Sequence, residues 1–232
     1  MSDPVYEFDA RTFALTWLTV ASAASEDPER FHLYRSVNVE LDPDGVRLTS
    51  TDSYRFWSQW VGEATSCKEP NYDDNRGESV IVSDDDFRAR DLMKYIAKCT
   101  RKEDDPDLTL RLSFGPAPRE DGQLIGMESR AATFTVSDTG TNRLHESLLL
   151  PLFDGEYPDL RNIYNGHAPE AVERIAFNPD LLNKMMKAAP GSEDYPCKII
   201  FSGETGIALI EPFDADKSWP LRGALMPVRI ES

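Results

Sequence analysis

The apolar positions change their period along the chain, and they do so in the same order three times. Near the start, a short strand-like segment from about Tyr6 gives way to Phe13, Trp17, Val20 and Ala24 at helical spacing. Asp9 stands just before that run, where a carboxylate caps free backbone N–H groups, so a helix is predicted over 10–24. Ser25-Glu26-Asp27-Pro28 ends it. Strands are then predicted over 30–41, 45–52 and 54–61. Asp42-Pro43-Asp44-Gly45 reads as the turn between the first two, with Pro43 presetting φ and Gly45 supplying a positive φ.

The order returns after a polar stretch over 62–77. Ser79-Val80-Ile81-Val82 is strand-like, and Ser83 is read as the cap of a helix over 84–102, with Asp86 in an approximate capping box. Strands follow over 108–114, 131–137 and 144–150, with a charged, proline-containing hairpin loop over 115–126. Residues 151–170 lack a period and read as a connector. The third round begins with a strand over 172–177. Asn178-Pro179 then forms a cap with proline at the first helical position, and the helix runs over 180–189 to Pro190-Gly191. Strands over 197–202, 206–212 and 223–230 complete it. Three repeats of strand, helix and two or three strands predict a fold built from repeated units.

Charge sharpens this picture at one helix. The chain of 232 residues has a net charge of −16, which by itself argues against phosphate binding. Yet Arg88, Arg90, Lys94, Lys98, Arg101 and Lys102 crowd the second predicted helix against a single acid, Asp91. That segment is +5, leaving −21 on the rest of the chain. At about 100° per residue, Arg90, Lys94, Lys98, Arg101 and Lys102 fall within roughly 120° of arc. Ala89, Leu92, Met93, Tyr95, Ile96 and Cys99 take the other side. Lys184 and Lys187 sit three apart on the third helix, while the first contributes only Arg11, with Arg30 beyond it. No aromatic residue interleaves the basic face, so it suits phosphates rather than stacked bases. An ordinary solvated helix face is the competing reading.

Little in the sequence suggests catalysis. Cys67, Cys99 and Cys197 are odd in number and far apart, which fits a reducing compartment better than a disulfide framework. His32, His145 and His167 are isolated, so zinc spacing is absent and no metal or other cofactor is expected. Asp84-Asp85-Asp86 has the chemistry of a metal nuclease but also that of a helix N-terminus, which favours acids. No nucleophile elbow, Walker loop or dinucleotide fingerprint occurs, and the chain is read as non-enzymatic. Forty per cent hydrophobic residues support a true core. No run of about 18 apolar residues and no basic-then-apolar leader is present, so a cytoplasmic protein without a membrane span is expected.

Three short segments carry a family resemblance. They are Thr51-Asp52-Ser53-Tyr54-Arg55-Phe56, Glu156-Tyr157-Pro158-Asp159-Leu160-Arg161-Asn162-Ile163 and Leu225-Met226-Pro227-Val228-Arg229-Ile230. In that order they resemble the T-D-G-H-R-L, F-P-D-Y-R-R-V and M-P-M-R-L motifs of the bacterial DNA polymerase III beta sliding clamp. Phe177-Asn178-Pro179 also looks like the entry to that family's final helix. The resemblance implies an α+β DNA-clamp fold, with repeated β-α-β-β(-β) units, outer antiparallel sheets and inner helices. Residues 1–150 resemble the family's middle domain of two units. Residues 151–232 resemble a connector plus the C-terminal half of its last domain. The family carries twice as many units per chain, so its dimeric ring does not transfer directly.

The resemblance further implies two surfaces. One is a ring lining that meets duplex DNA non-specifically; on this chain it maps to Arg88, Arg90, Lys94, Lys98, Arg101, Lys102, Lys184 and Lys187. The other is a cleft for short peptides of the replicative DNA polymerase and clamp loader. It maps to Thr51, Ser53, Tyr54, Arg55, Phe56, Pro158 and Ile163, and to Met226, Pro227, Val228, Arg229 and Ile230. Ser53-Tyr54 replace the family's Gly-His, which makes the rim bulkier; Tyr157 replaces Phe and Leu160 replaces Tyr. A homo-oligomeric processivity clamp is the leading expectation. The alternative is a clamp-like regulator that keeps the cleft without a DNA-encircling ring, as a phage or mobile element would use.

Overall fold

The computed structural model describes residues 5–62, 78–83, 87–100, 107–116, 130–141, 143–160, 163, 169–188, 197–203, 206–212 and 221–228. Among them, a first unit holds β1 (Val5–Asp9), α1 (Ala10–Ala21), β2 (Val37–Asp42), β3 (Gly45–Thr51) and β4 (Arg55–Gly62). A second holds β5 (Ser79–Val82), α2 (Arg88–Cys99), β6 (Leu108–Pro116), β7 (Arg130–Asp138) and β8 (Leu144–Phe153). A third holds α3 (Pro179–Ala188), β9 (Cys197–Ile200), β10 (Ala208–Pro212) and β11 (Leu221–Leu225). The strands follow one another in the order β1-β6-β7-β8-β5-β2-β3-β4-β11-β10-β9.

The first two units exchange their leading strands. β1 pairs antiparallel with β6, and β5 pairs antiparallel with β2, so each unit completes the other's sheet. The third unit joins the first through its last strand. β11 pairs with β4 from Leu221↔Gln59 to Leu225↔Arg55. A single large core results: Phe13 and Trp17 of α1, Met93 and Ile96 of α2 and Met185 of α3 pack with Leu110, Phe134, Trp57 and Ile210 of the strands. The edge-on contact of Trp17 with Phe134, centroids 5.3 Å apart, sits within it.

Because side chains alternate across a strand, β4 serves two faces. Trp57 enters the main core, whereas Phe56 joins Leu209 and Ala224 in a smaller apolar cluster. Gly223, opposite Trp57 in register, is required by that packing. A Cβ there would lie 2.2 Å from the indole ring.

Local signals set most elements. The Asp9 carboxylate accepts from the Thr12 N–H at 2.7 Å, as its capping position predicts, and the Asn178 side chain accepts from the Asp180 N–H at 3.0 Å. Several expectations are corrected. Helix α1 stops at Ala21, and residues 32–35 form a 3-10 turn (His32–Arg35) where a strand was predicted over 30–41. Its carbonyls and N–H groups close locally, with Ser36 Oγ donating to His32 O at 2.7 Å. Helix α2 starts at Arg88, and its N-cap is Phe87 in a left-handed conformation (φ 56°) rather than Ser83. Asp84–Asp86 lie outside the described residues. Strand β8 runs on through Pro151 to Phe153, because Leu152 and Phe153 pair with Val82 and Ile81. Residues 172–177 form no regular strand; Ala176 makes one isolated bridge to Val228. Gly45 is needed for close approach, since a Cβ would lie 2.3 Å from the Val61 carbonyl.

Gly223→Ala is expected to lower stability by about 1–3 kcal/mol, the usual penalty of overpacking. A urea unfolding midpoint unchanged from the wild type would rule out the Trp57–Gly223 contact as the constraint on this strand pair.

Candidate functional site: an apolar cleft and a basic helix face

The hairpin joining β3 to β4 is held by one carboxylate. Asp52 Oδ1 accepts from the Tyr54 N–H at 3.0 Å and the Arg55 N–H at 3.1 Å, and Oδ2 accepts from Arg55 Nε at 2.9 Å. Thr51 Oγ1 donates to the Arg55 carbonyl at 2.7 Å and accepts from the Ser53 N–H at 3.1 Å. This network holds Ser53 at φ 78°, a left-handed conformation at the position where the resembling motif has glycine. Tyr54 is thereby left about half exposed, with the Arg30 guanidinium 5.6 Å from its ring centre. The Tyr54 carbonyl accepts from the Met226 N–H at 2.8 Å, tying the hairpin to the segment after β11.

An apolar cleft of about 200 Å³ opens beside this hairpin. Thr51, Ser53, Tyr54, Arg55 and Phe56 line it from the hairpin, Pro158, Leu160 and Ile163 from the connector, and Ile207, Ala224 and Met226 from the third unit, with Tyr34 added by the 3-10 turn. Eight residues expected from the motifs therefore come together: Thr51, Ser53, Tyr54, Arg55, Phe56, Pro158, Ile163 and Met226. Pro227 and half-exposed Val228 stand beside the cleft without lining it, and the Val228 N–H donates to the Ala176 carbonyl at 2.8 Å. Arg229 and Ile230 lie outside the described residues.

Tyr34, Leu160, Ile207 and Ala224 line the cleft without having been singled out. Ala224 is there because it stands opposite Phe56 in the β4–β11 register, which no local pattern encodes. Leu160 lay within a quoted motif and was legible. Asp52, also within a motif, positions the site through its three hydrogen bonds.

Arg55 is buried, and its Nη1 has no hydrogen-bond partner among the described residues. An unpaired buried guanidinium N–H is costly. The phenol of Tyr157 is buried beneath the hairpin; burial pushes its pKa far above the ordinary tyrosine value, with Tyr34 and Asp52 adding to the rise and the Thr51 backbone opposing it.

The basic residues divide into two groups. Arg88, Lys94 and Lys98 of α2 and Lys184 and Lys187 of α3 are exposed. Arg90 is not: its side chain is 11% exposed, lies 4.8 Å from the Phe87 ring centre and reaches Glu26 at 3.8 Å. Lys184 meets the same Glu26 at 3.4 Å, so one carboxylate just after α1 draws α2 and α3 together and offsets part of their charge. Lys94 pairs with Asp91 at 3.3 Å. Arg11 donates to the carbonyls of Ala97 and Thr100, which satisfies the end of α2 rather than facing a ligand. Arg101 and Lys102 lie outside the described residues. Among the described residues no cluster of His, Cys, Asp and Glu is arranged for a metal, and no helix is long and apolar enough to cross a membrane.

The whole of this architecture is that of the bacterial sliding clamps. The DNA polymerase III beta subunit of Thermotoga maritima superposes with a TM-score of 0.60 at 16% identity, covering 100% of this chain and 67% of that one. A putative beta subunit of Eubacterium rectale gives 0.63 at 8% identity, with the same coverage. The DnaN sliding clamp of Pseudomonas aeruginosa, solved bound to griselimycin, gives 0.62 at 12% identity over 99% of this chain and 66% of its own. The chain thus spans about two thirds of the length of the clamps it matches. At these identities the likeness shows the fold. No protein-family model matches the sequence, and no curated protein does.

Two outcomes test the hairpin. Asp52→Ala should cost about 3 kcal/mol, because it strands a buried arginine; a loss below about 1 kcal/mol in urea unfolding would contradict the assigned network. A phenol held neutral by burial stabilises the fold below the unfolded tyrosine pKa of about 10 and withdraws that contribution as pH rises beyond it. The unfolding midpoint of the wild type should therefore fall more steeply from about pH 9.5 to 11 than that of Tyr157→Phe. Parallel curves would contradict a buried phenol.

Proposed function

We propose that this chain is a sliding-clamp-like, non-enzymatic processivity factor. In this reading the apolar cleft takes short peptides of a replicative DNA polymerase and its clamp loader, and the exposed cations of α2 and α3 face duplex DNA. The observation that carries the reading is the convergence of three sequence-distant motif segments on one apolar cavity. A cavity of this size suits two apolar anchors, worth about 3–6 kcal/mol before ordering costs. Contacts of roughly micromolar strength follow, which lets partners exchange. Arg88, Arg90, Lys94, Lys98, Lys184 and Lys187, with Arg101 and Lys102, would give phosphate contacts without base readout, as sliding requires. The chain is then a homo-oligomer working in the cytoplasm, in a host cell if a phage encodes it, in two parts near residues 1–150 and 151–232.

One observation favours a second reading. Glu26 engages both Arg90 and Lys184, and α1 presents no outward cation of its own. A clamp-like regulator that holds partner peptides without encircling DNA would need no stronger basic lining.

A fluorescent peptide from a polymerase's clamp-binding tail should bind the wild type and lose about tenfold or more in affinity to Phe56→Ala. Equal affinity would refute the cleft. Separately, Lys94→Glu with Lys98→Glu should abolish retention on circular duplex DNA while leaving peptide affinity unchanged. A wild type that binds the peptide but is not retained on circular duplex DNA supports the regulator.

A further inference from the structure

The third unit stands without a sister. The first two complete each other: β1 pairs with β6, β5 pairs with β2, and α1 packs beside α2. Between β8 and α3 the chain has only residues 154–178, less than half the 5–62 span of the first unit, so no fourth unit fits there. A leading strand has two partners. β5 sets Ile81 and Val82 against the end of its own last strand and lays its other edge on β2 of the sister unit. The segment before α3 has the first partner: Ala176 bridges Val228 beyond β11, its carbonyl accepting from the Val228 N–H at 2.8 Å. Backbone groups alternate in direction along an extended segment, so those of Ile175 and Phe177 point the other way. Among the described residues they make no backbone hydrogen bond.

β9 is the complementary half. It is the first strand after α3, as β2 and β6 are the first after their helices. Among the described residues Cys197–Ile200 pairs with β10 alone, and the bridge of Glu170 to Ser202 lies just past its end. Burial follows the same division. Phe8 directly precedes the cap Asp9, faces Leu110 of β6 and is fully buried. Phe177 holds the equivalent place before the cap Asn178 but is half-buried, its ring meeting Phe201 past the end of β9. Val37 and Val39 of β2 and Leu108 and Leu110 of β6 are buried, whereas Cys197 and Ile199 of β9 are half-exposed. On α3 only Met185 is buried, with Leu181, Leu182 and Met186 partly so.

We propose that the third units of two copies complete each other, each lending its 175–177 segment to the β9 edge of the other. Every copy carries both halves, so one two-fold axis satisfies both joints at once. The arrangement repeats between chains the reciprocal exchange that the first two units make within one chain. The β1–β6 register sets the pairing. Phe8 faces Leu110, the third residue of β6, so Phe177 faces Ile199, the third residue of β9, and Ala176 faces Ile200. Burial of Phe177 and Ile199 drives the joint, and α3 gains the neighbour that α1 and α2 find in each other. The proposal stands independently of the peptide and DNA reading.

Cross-linking of the full chain tests this joint apart from any other self-association. In a background carrying C67S, C99S and C197S, the variants Phe177→Cys and Ile199→Cys are mixed at micromolar concentration and oxidised. The mixture should give a reducible species of twice 26.1 kDa, and neither variant alone should. The two thiols lie on different chains, so that bond can only join two copies. A mixture that stays uncrosslinked, or a double variant F177C/I199C that closes only within one chain, would overturn the proposal. Should the variants lose their far-UV circular dichroism, hydrogen exchange on the wild type decides instead. The amides of Ile175 and Phe177 should lose protection on dilution, and exchange independent of concentration would overturn the joint. Peptide and DNA binding measured on the cross-linked pair keeps the two readings apart: a pair that binds neither defeats the clamp function and leaves the joint standing.

Discussion

Everything at the cleft depends on how β4 and β11 meet. Their antiparallel pairing fixes Trp57 opposite Gly223 and Phe56 opposite Ala224. One face of this ribbon then packs against the helices and the other becomes an apolar floor. The pairing requires a residue without a side chain at 223, because the indole occupies the space a Cβ would fill. It also brings Met226 within reach of the Tyr54 carbonyl, so the hairpin and the third unit share a hydrogen bond. A strand contact between units thus creates an apolar cleft that neither unit has alone.

Electrostatics on the helix side follow a different logic. A chain with net charge −16 concentrates cations on α2 and α3, yet places Glu26 where it meets both. The exposed Glu26–Lys184 pair adds little stability. The effect of Glu26 is on the field: Arg90 is drawn inward onto Phe87 and Glu26, while Arg88, Lys98 and Lys187 stay in solvent. The exposed cationic surface is therefore narrower than a helical wheel suggests.

Much of the fold was legible because its causes are local. Asp9 and Asn178 announce their helices through capping chemistry, and the Asp42–Gly45 turn closes a hairpin where expected. Mistakes fell where tertiary contacts outweigh local preference. Residues 32–35 turn instead of extending, and α2 begins after a left-handed Phe87. β8 persists through a proline because β5 pairs with its end. The cleft was legible in part: motif spacing identified the hairpin and the connector, but Tyr34, Ile207 and Ala224 come from elements whose placement is long-range.

The sequence by itself determined the repeated order of strand and helix, the caps, the turns and the amphipathic character of α2, since each depends on residues within a turn or two of one another. Tertiary structure alone decided the exchange of β1 and β5 between units, the β4–β11 joint and the burial of Arg90 against Phe87 and Glu26. Strand pairing joins backbones whose hydrogen-bonding groups are the same in every residue, so its partners are chosen by side-chain packing across the whole core.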